Sequence, residues 1–170
     1  MYRIRFAVGL ILTLILILAG TASADSKAVM ERLKSLEGEW MLVNEQGEVT
    51  DHVATEFRMT ANGSVLREFM FPGDPHEMLN VYHEDGDRVL MTHYCASGNQ
   101  PRLEVVQSEE GDGLLLKFES ITNLSSPNAH FMHHAKYVWE SDGQLVTTWW
   151  GSQDGKISDE TTVIRAIRRK

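Results

Sequence analysis

The stretch Val53-Ala54-Thr55-Glu56-Phe57-Arg58-Met59-Thr60-Ala61-Asn62-Gly63-Ser64-Val65-Leu66-Arg67-Glu68-Phe69-Met70 decides the fold. In its first half Val53, Thr55, Phe57 and Met59 alternate with Ala54, Glu56 and Arg58. That period of two belongs to a strand. Asn62-Gly63 then supplies the positive φ angles of a tight hairpin, and a second β-rich run follows. The unit repeats in kind along the chain. Asp85-Gly86, Gly111-Asp112-Gly113, Asp142-Gly143 and Asp154-Gly155 each stand between β-rich runs. About ten strands are expected: 38–44, 51–60, 64–71, 77–83, 88–95, 102–108, 114–119, 130–140, 145–151 and 160–168. Short links make sequential strands neighbours. Ten strands in one open sheet would leave two edges; closure into an antiparallel up-and-down barrel removes both. A two-sheet sandwich is the alternative architecture. One short helix is expected before the first strand, with Val29, Leu33 and Leu36 on one face and Asp25 or Ser26 as its cap.

The first 24 residues read as a cleavable signal peptide. Arg3 and Arg5 are followed by an uncharged apolar run from Phe6 to Ala19, then by Ala22-Ser23-Ala24. The run is about 14 residues, short of the ~20 of a membrane-spanning helix. Cleavage before Asp25 leaves one domain, 25–170, of about 146 residues. Loss of the two arginines takes the net charge from −8 to −10. Such an acidic domain is not expected to hold nucleic acid or an anionic membrane surface. The place of work is therefore extracytoplasmic, periplasmic or secreted. The single cysteine, Cys95, cannot form an intramolecular disulfide.

Gly38-Glu39-Trp40 opens the first strand just after the helix, and the last strand carries Arg165 and Arg168. With the meander of hairpins, this resembles the calycin superfamily, which includes lipocalins, fatty-acid-binding proteins and haem-binding nitrobindin-like barrels. The resemblance implies that Trp40 packs under a basic side chain at the barrel base, a cation–π contact. Arg165, flanked on its face by Val163 and Ile167, is the first candidate and Arg168 the second. Val81-Tyr82-His83-Glu84-Asp85-Gly86-Asp87, Thr92-His93-Tyr94-Cys95 and Asn99-Gln100-Pro101-Arg102 are similar to stretches in bacterial lipocalin-like domains of unknown function. That likeness implies a calycin-like fold and no particular activity.

Inward-facing residues are the ones that can meet a ligand. Leu114, Leu116 and Phe118 are expected to point in, as are Phe131, His133, Ala135, Tyr137 and Trp139. Val89, Met91, His93 and Cys95 share the face assigned inward on their strand. In 64–71 either Arg67 or Glu68 is expected to point in, unless the strand lies near a rim, because they alternate within an apolar pattern. An interior charge is costly unless paired or used. Arg67 would suit a carboxylate ligand; Glu68 would call for a lysine, arginine or histidine. The loop after Cys95 brings Asn99, Gln100 and Arg102 to a barrel mouth, where polar amides can orient a ligand.

The first expectation is a barrel that binds a small, mainly apolar ligand, with Arg67 or His133 at its polar end. Tyr82, His93, Tyr94, Cys95, Asn99, Gln100 and Arg102 complete that site. The second is haem or a metal held by His93, Cys95 or His133, since His, Cys and Met suit soft ions. The third is a barrel filled by its own side chains that serves as an interaction module. The sequence specifies no cofactor and no metal-binding motif. It has no Gly-x-Ser-x-Gly elbow and no glycine-rich phosphate loop, so catalysis is not expected.

Overall fold

The computed structural model describes residues 18–109 and 111–170, with side chains from Asp25 onward. The expected leader lies outside the described residues except for the backbone of 18–24. Helix α1 (Leu18–Lys34) precedes ten strands: β1 (Gly38–Val43), β2 (Val49–Thr60), β3 (Val65–Met70), β4 (Met78–Asp85) and β5 (Arg88–Tyr94). Then follow β6 (Gln100–Gln107), β7 (Gly113–Thr122), β8 (Phe131–Trp139), β9 (Gln144–Gln153) and β10 (Lys156–Arg168). Each strand pairs antiparallel with its neighbours in sequence, and β1 pairs with β10 to close the barrel. The sandwich alternative is thereby excluded. No helix among the described residues is long and apolar enough to cross a membrane.

The turns follow from their residues, with two shifts in register. Asp154 and Gly155 are the central pair of the β9–β10 hairpin, both at positive φ. At Asn62-Gly63 the connection is four residues, a 3₁₀ turn over Ala61–Gly63 followed by Ser64, rather than a two-residue turn. Between β4 and β5 the central pair is Gly86-Asp87 rather than Asp85-Gly86, because Asp85 pairs with Arg88.

One end of the barrel, the base, is closed by α1. Val29, Met30, Leu33 and Leu36 are buried in the same core as Trp40, Phe57, Tyr82 and Leu114. The expected apolar face of the helix is therefore the one that packs. Asp25 and Ser26 do not cap it, because helical backbone continues upstream to Leu18. Trp40 is 4% exposed, and its indole N–H donates to the Leu36 carbonyl at 2.8 Å. The guanidinium of Arg168 sits 4.6 Å from the centre of the Trp40 ring and donates to the carbonyls of Ser35 and Glu37. One arginine thus satisfies two carbonyls beyond the end of α1 and covers the tryptophan.

This corrects the preference for Arg165. Ile164 and Ala166 are the buried residues of β10, so Val163, Arg165 and Ile167 face out. Arg165 pairs with Glu140 at 3.2 Å on the surface. The apolar flanks of Arg165 suggested an inner face, but closure against β1, with Leu42 opposite Ala166, sets the opposite parity.

Gly38 has φ +124, and a Cβ there would stand 3.1 Å from the Arg168 guanidinium. Only glycine allows both the backbone angle and the close approach. Gly38→Ala is expected to cost about 2 kcal/mol in urea unfolding. A variant as stable as the parent would show that the Arg168 clasp is not under this constraint.

Candidate functional site

Inside the barrel, β2, β3, β4 and β5 place the buried polar side chains Thr55, Glu68, Asn80 and His93. All four are at most 5% exposed. Leu66, Glu68 and Met70 are the buried set of β3, so the charge that enters the barrel is Glu68. Arg67 faces out, half-buried, with its guanidinium 5.4 Å from the Phe69 ring centre. This corrects the placement of Arg67 at the polar end of a ligand.

Glu68 has four partners, none of them a cation. Thr55 donates to Oε1 at 3.0 Å. Asn80 Nδ2 at 2.7 Å, Tyr82 at 2.5 Å and Tyr137 at 3.0 Å all lie on Oε2. The two tyrosine oxygens are 3.0 Å apart. The expected basic partner is absent from this set because neutral donors occupy the carboxyl instead. Burial raises the Glu68 pKa, while the four hydrogen bonds oppose that rise. Burial and the Glu68 charge push both tyrosines well above their ordinary range, so both stay protonated donors.

Asn80 passes the network on to His93. Its Oδ1 lies 2.6 Å from His93 Nδ1. Val89, Met91 and His93 are buried on the inner face, as the sequence suggested. Burial lowers the His93 pKa to about 4, so the ring is neutral at pH 7. Its centre is 5.4 Å from that of the Trp149 ring. His93 Nε2 and Trp149 Nε1 are both buried without a hydrogen-bond partner among the described residues. Buried polar atoms are rarely left so in native folds; Arg32, Arg67, Asn99 and Gln144 each hold one too, and His93 and Trp149 are the two whose rings lie together.

Deep in the barrel the space is filled. A cavity of about 10 Å³ beside Glu68, lined by Thr55, Thr147, Met70 and Ile164 among others, is about the size of one water molecule. A larger space lies at the end opposite α1, between β8, β9 and β10. There a cleft of about 660 Å³ is lined by His130, Met132, Trp149, Gly151, Glu160 and Thr162. This is the size of ligand-binding clefts in general. Trp149, 2% exposed, forms its floor. The pairing of β10 with β9 skips between Ile157 and Thr161, and this bulge shapes one wall. On the other wall His130 lies over Gly151, where a Cβ would stand 2.5 Å from His130 Nε2.

Of the other residues expected at the site, Tyr82 is fully buried and part of the Glu68 network. Tyr94, Cys95, Asn99 and Gln100 gather at the open end. Tyr94 is 48% exposed. Cys95 lies past the end of β5, half-buried, and accepts from Ser97 Oγ at 3.0 Å, so it does not continue the inward column of His93. Asn99 is buried and donates to the His130 carbonyl at 2.9 Å, tying the loop to the start of β8. Gln100 bonds within its own surroundings, to the Gly98 carbonyl and Thr122. Arg102 is exposed on the outer side, opposite Ser120.

His133 is corrected as the inward histidine of β8. The register shifts between Met132 and His134, so Met132 packs against the core below the bulge while Ala135 and Tyr137 continue it above. His133 stacks on Phe118 at 4.9 Å and shares a hydrogen bond with His134 Nδ1 at 3.1 Å. Burial lowers the pKa of both rings, and His133 lowers that of His134 further. No group of three or more histidine, cysteine or acidic side chains among the described residues is placed to hold a metal ion. Asn80 is a residue of the Glu68 network that sequence reasoning missed. Comparison with protein-family models and with curated proteins gives no match for this sequence.

Proposed function

We propose that this chain is an exported, calycin-like barrel that binds a small, mainly apolar ligand at its open end. The single observation that carries this reading is the ligand-sized cleft over the buried Trp149, whose indole N–H has no partner among the described residues. A barrel built only for stability gains nothing from a buried carboxyl and histidine, since apolar side chains of like volume serve as well or better. In this reading Met132 and Trp149 supply apolar walls, and the loop from Cys95 to Gln100 borders the entrance. Its partner is a small molecule rather than nucleic acid or membrane, and no catalytic role is assigned.

A second reading, haem bound through His93, has one specific observation in its favour. Histidines that ligate metals commonly donate their other ring N–H to an oxygen, and the oxygen of Asn80 sits at His93 Nδ1. Haem needs a single axial nitrogen, whereas a bare metal ion needs further donors.

Native mass spectrometry with an absorbance spectrum, on protein purified from its own export compartment, tests both. A stoichiometric added mass of an organic molecule is the expected result. A Soret band would replace it with the haem reading. A mass that stays bare after exposure to haem and to a panel of apolar alcohols, ethers and acids would overturn both and favour a self-filled interaction barrel.

A further inference from the structure

The bulge in β8 brings together two histidines that a regular strand would keep apart. Consecutive side chains of a strand point to opposite faces. In β8, Met132 and His134 stand opposite the consecutive residues Gly151 and Trp150 of β9, and His133 is the extra residue between them. The two imidazoles meet there, with Nδ1 of His133 3.1 Å from Nδ1 of His134.

Each ring is held by a second aromatic ring. His133 stacks on Phe118 of β7, centres 4.9 Å apart. His134 lies nearly parallel to Trp150 of β9, centres 4.6 Å apart and planes 8° apart. The histidine rings meet edge to face at 89°. β7 pairs with β8 only from Gly113–Val138 to Leu116–Ala135, so the histidines stand where the two strands have parted. Neither ring is sealed in the core.

Two nitrogens at this spacing match neighbouring ligands on one transition ion. With both bonds at about 2.0–2.1 Å, a separation of 3.1 Å gives an angle of about 100° at the ion. That suits adjacent positions of a tetragonal or tetrahedral ion. In the empty pair one ring donates its Nδ1–H to the other Nδ1. An ion takes the place of that hydrogen, and each neutral ring then carries its proton on Nε2. Burial holds both rings below the ordinary 6.5, so both are neutral at pH 7. No third histidine, cysteine or carboxylate among the described residues completes the set, which leaves the other positions to water or an outside donor. Nitrogen donors without carboxylates favour late transition ions over calcium or magnesium.

We propose that His133 and His134 form an open two-histidine site for a divalent late transition ion, with Cu(II) held more tightly than Zn(II). The site is separate from the cleft over Trp149 and from His93, and stands whether or not a small molecule binds there.

Calorimetric titration of the metal-free mature protein at pH 7 with Cu(II), and separately with Zn(II), is expected to show saturable binding, with Cu(II) at least about tenfold tighter. His133→Phe and His134→Phe keep the stacks on Phe118 and Trp150, and each removes one nitrogen. Each should weaken Cu(II) binding by at least about tenfold. ¹⁵N NMR of the unaltered protein gives a readout that needs no variant. Zn(II) should shift Nδ1 of His133 and His134 together and leave both protons on Nε2. Zn(II) shifts confined to the exposed His52, His76 and His130 would show adventitious surface binding and overturn the site. So would Cu(II) affinity unchanged in both variants, or no saturable binding of either ion.

Discussion

Glu68→Ala is expected to destabilise the barrel by about 4 kcal/mol in urea unfolding, whereas Glu68→Gln should cost about 1 kcal/mol or less at neutral pH. Alanine strands the hydroxyls of Tyr82 and Tyr137 and the amide of Asn80 in the core, three donors that Glu68 satisfies. Glutamine keeps an oxygen for those three. Its amide N–H can go to Thr55 Oγ1, whose own hydroxyl has the Phe69 carbonyl at 3.2 Å as an alternative acceptor. The pH dependence should separate the two buried groups. With its pKa raised above 4.5 in the fold, Glu68 keeps a proton that the unfolded chain releases. Its contribution therefore weakens as pH rises from about 4.5 through the folded pKa. Glu68→Gln removes that slope. His93 acts in the opposite sense. The unfolded chain takes up a proton as pH falls below 6.5, the folded one only near 4, so stability falls by about 3 kcal/mol over that window. An equal loss for alanine and glutamine would show that the Glu68 charge, not its acceptor geometry, holds the network.

The second large effect is at the base. Trp40→Ala is expected to cost about 4 kcal/mol, and Trp40→Phe about 1–2 kcal/mol, by thermal or urea unfolding. Alanine opens a cavity between α1 and the first strand and leaves Arg168 without the ring it covers. Phenylalanine restores most of the packing and loses the bond from the indole to the Leu36 carbonyl. If both variants lose the same amount, that hydrogen bond rather than the packed ring closes the base.

Much of the barrel is legible in the sequence because its cues are local. Turn residues at Asn62-Gly63, Asp142-Gly143 and Asp154-Gly155 divide the chain, and alternation between them marks each strand. What a single strand does not carry is which of two mixed faces turns inward. In 64–71 Arg67 keeps company with Val65 and Phe69, and Glu68 with Leu66 and Met70. Their parity is set by the neighbours, with Glu68 beside the buried Asn80 across β3 and β4. The same holds for Arg165 and Arg168, where closure of β10 on β1 decides. The bulge in β8 moves His133 off the inner column and has no turn residue to announce it. Asn80 was missed because an isolated asparagine among β residues is indistinguishable from a surface one. Its meaning appears only with Glu68 on one side and His93 on the other.

The most direct test is ¹⁵N NMR of the His93 ring across pH 4 to 8, read through its long-range couplings to the ring carbons' protons. The expected result is a neutral ring with the proton on Nδ1 throughout the upper range, charging only as pH approaches about 4. A proton on Nε2, or titration near the ordinary 6.5, would contradict the buried Glu68–Asn80–His93 relay.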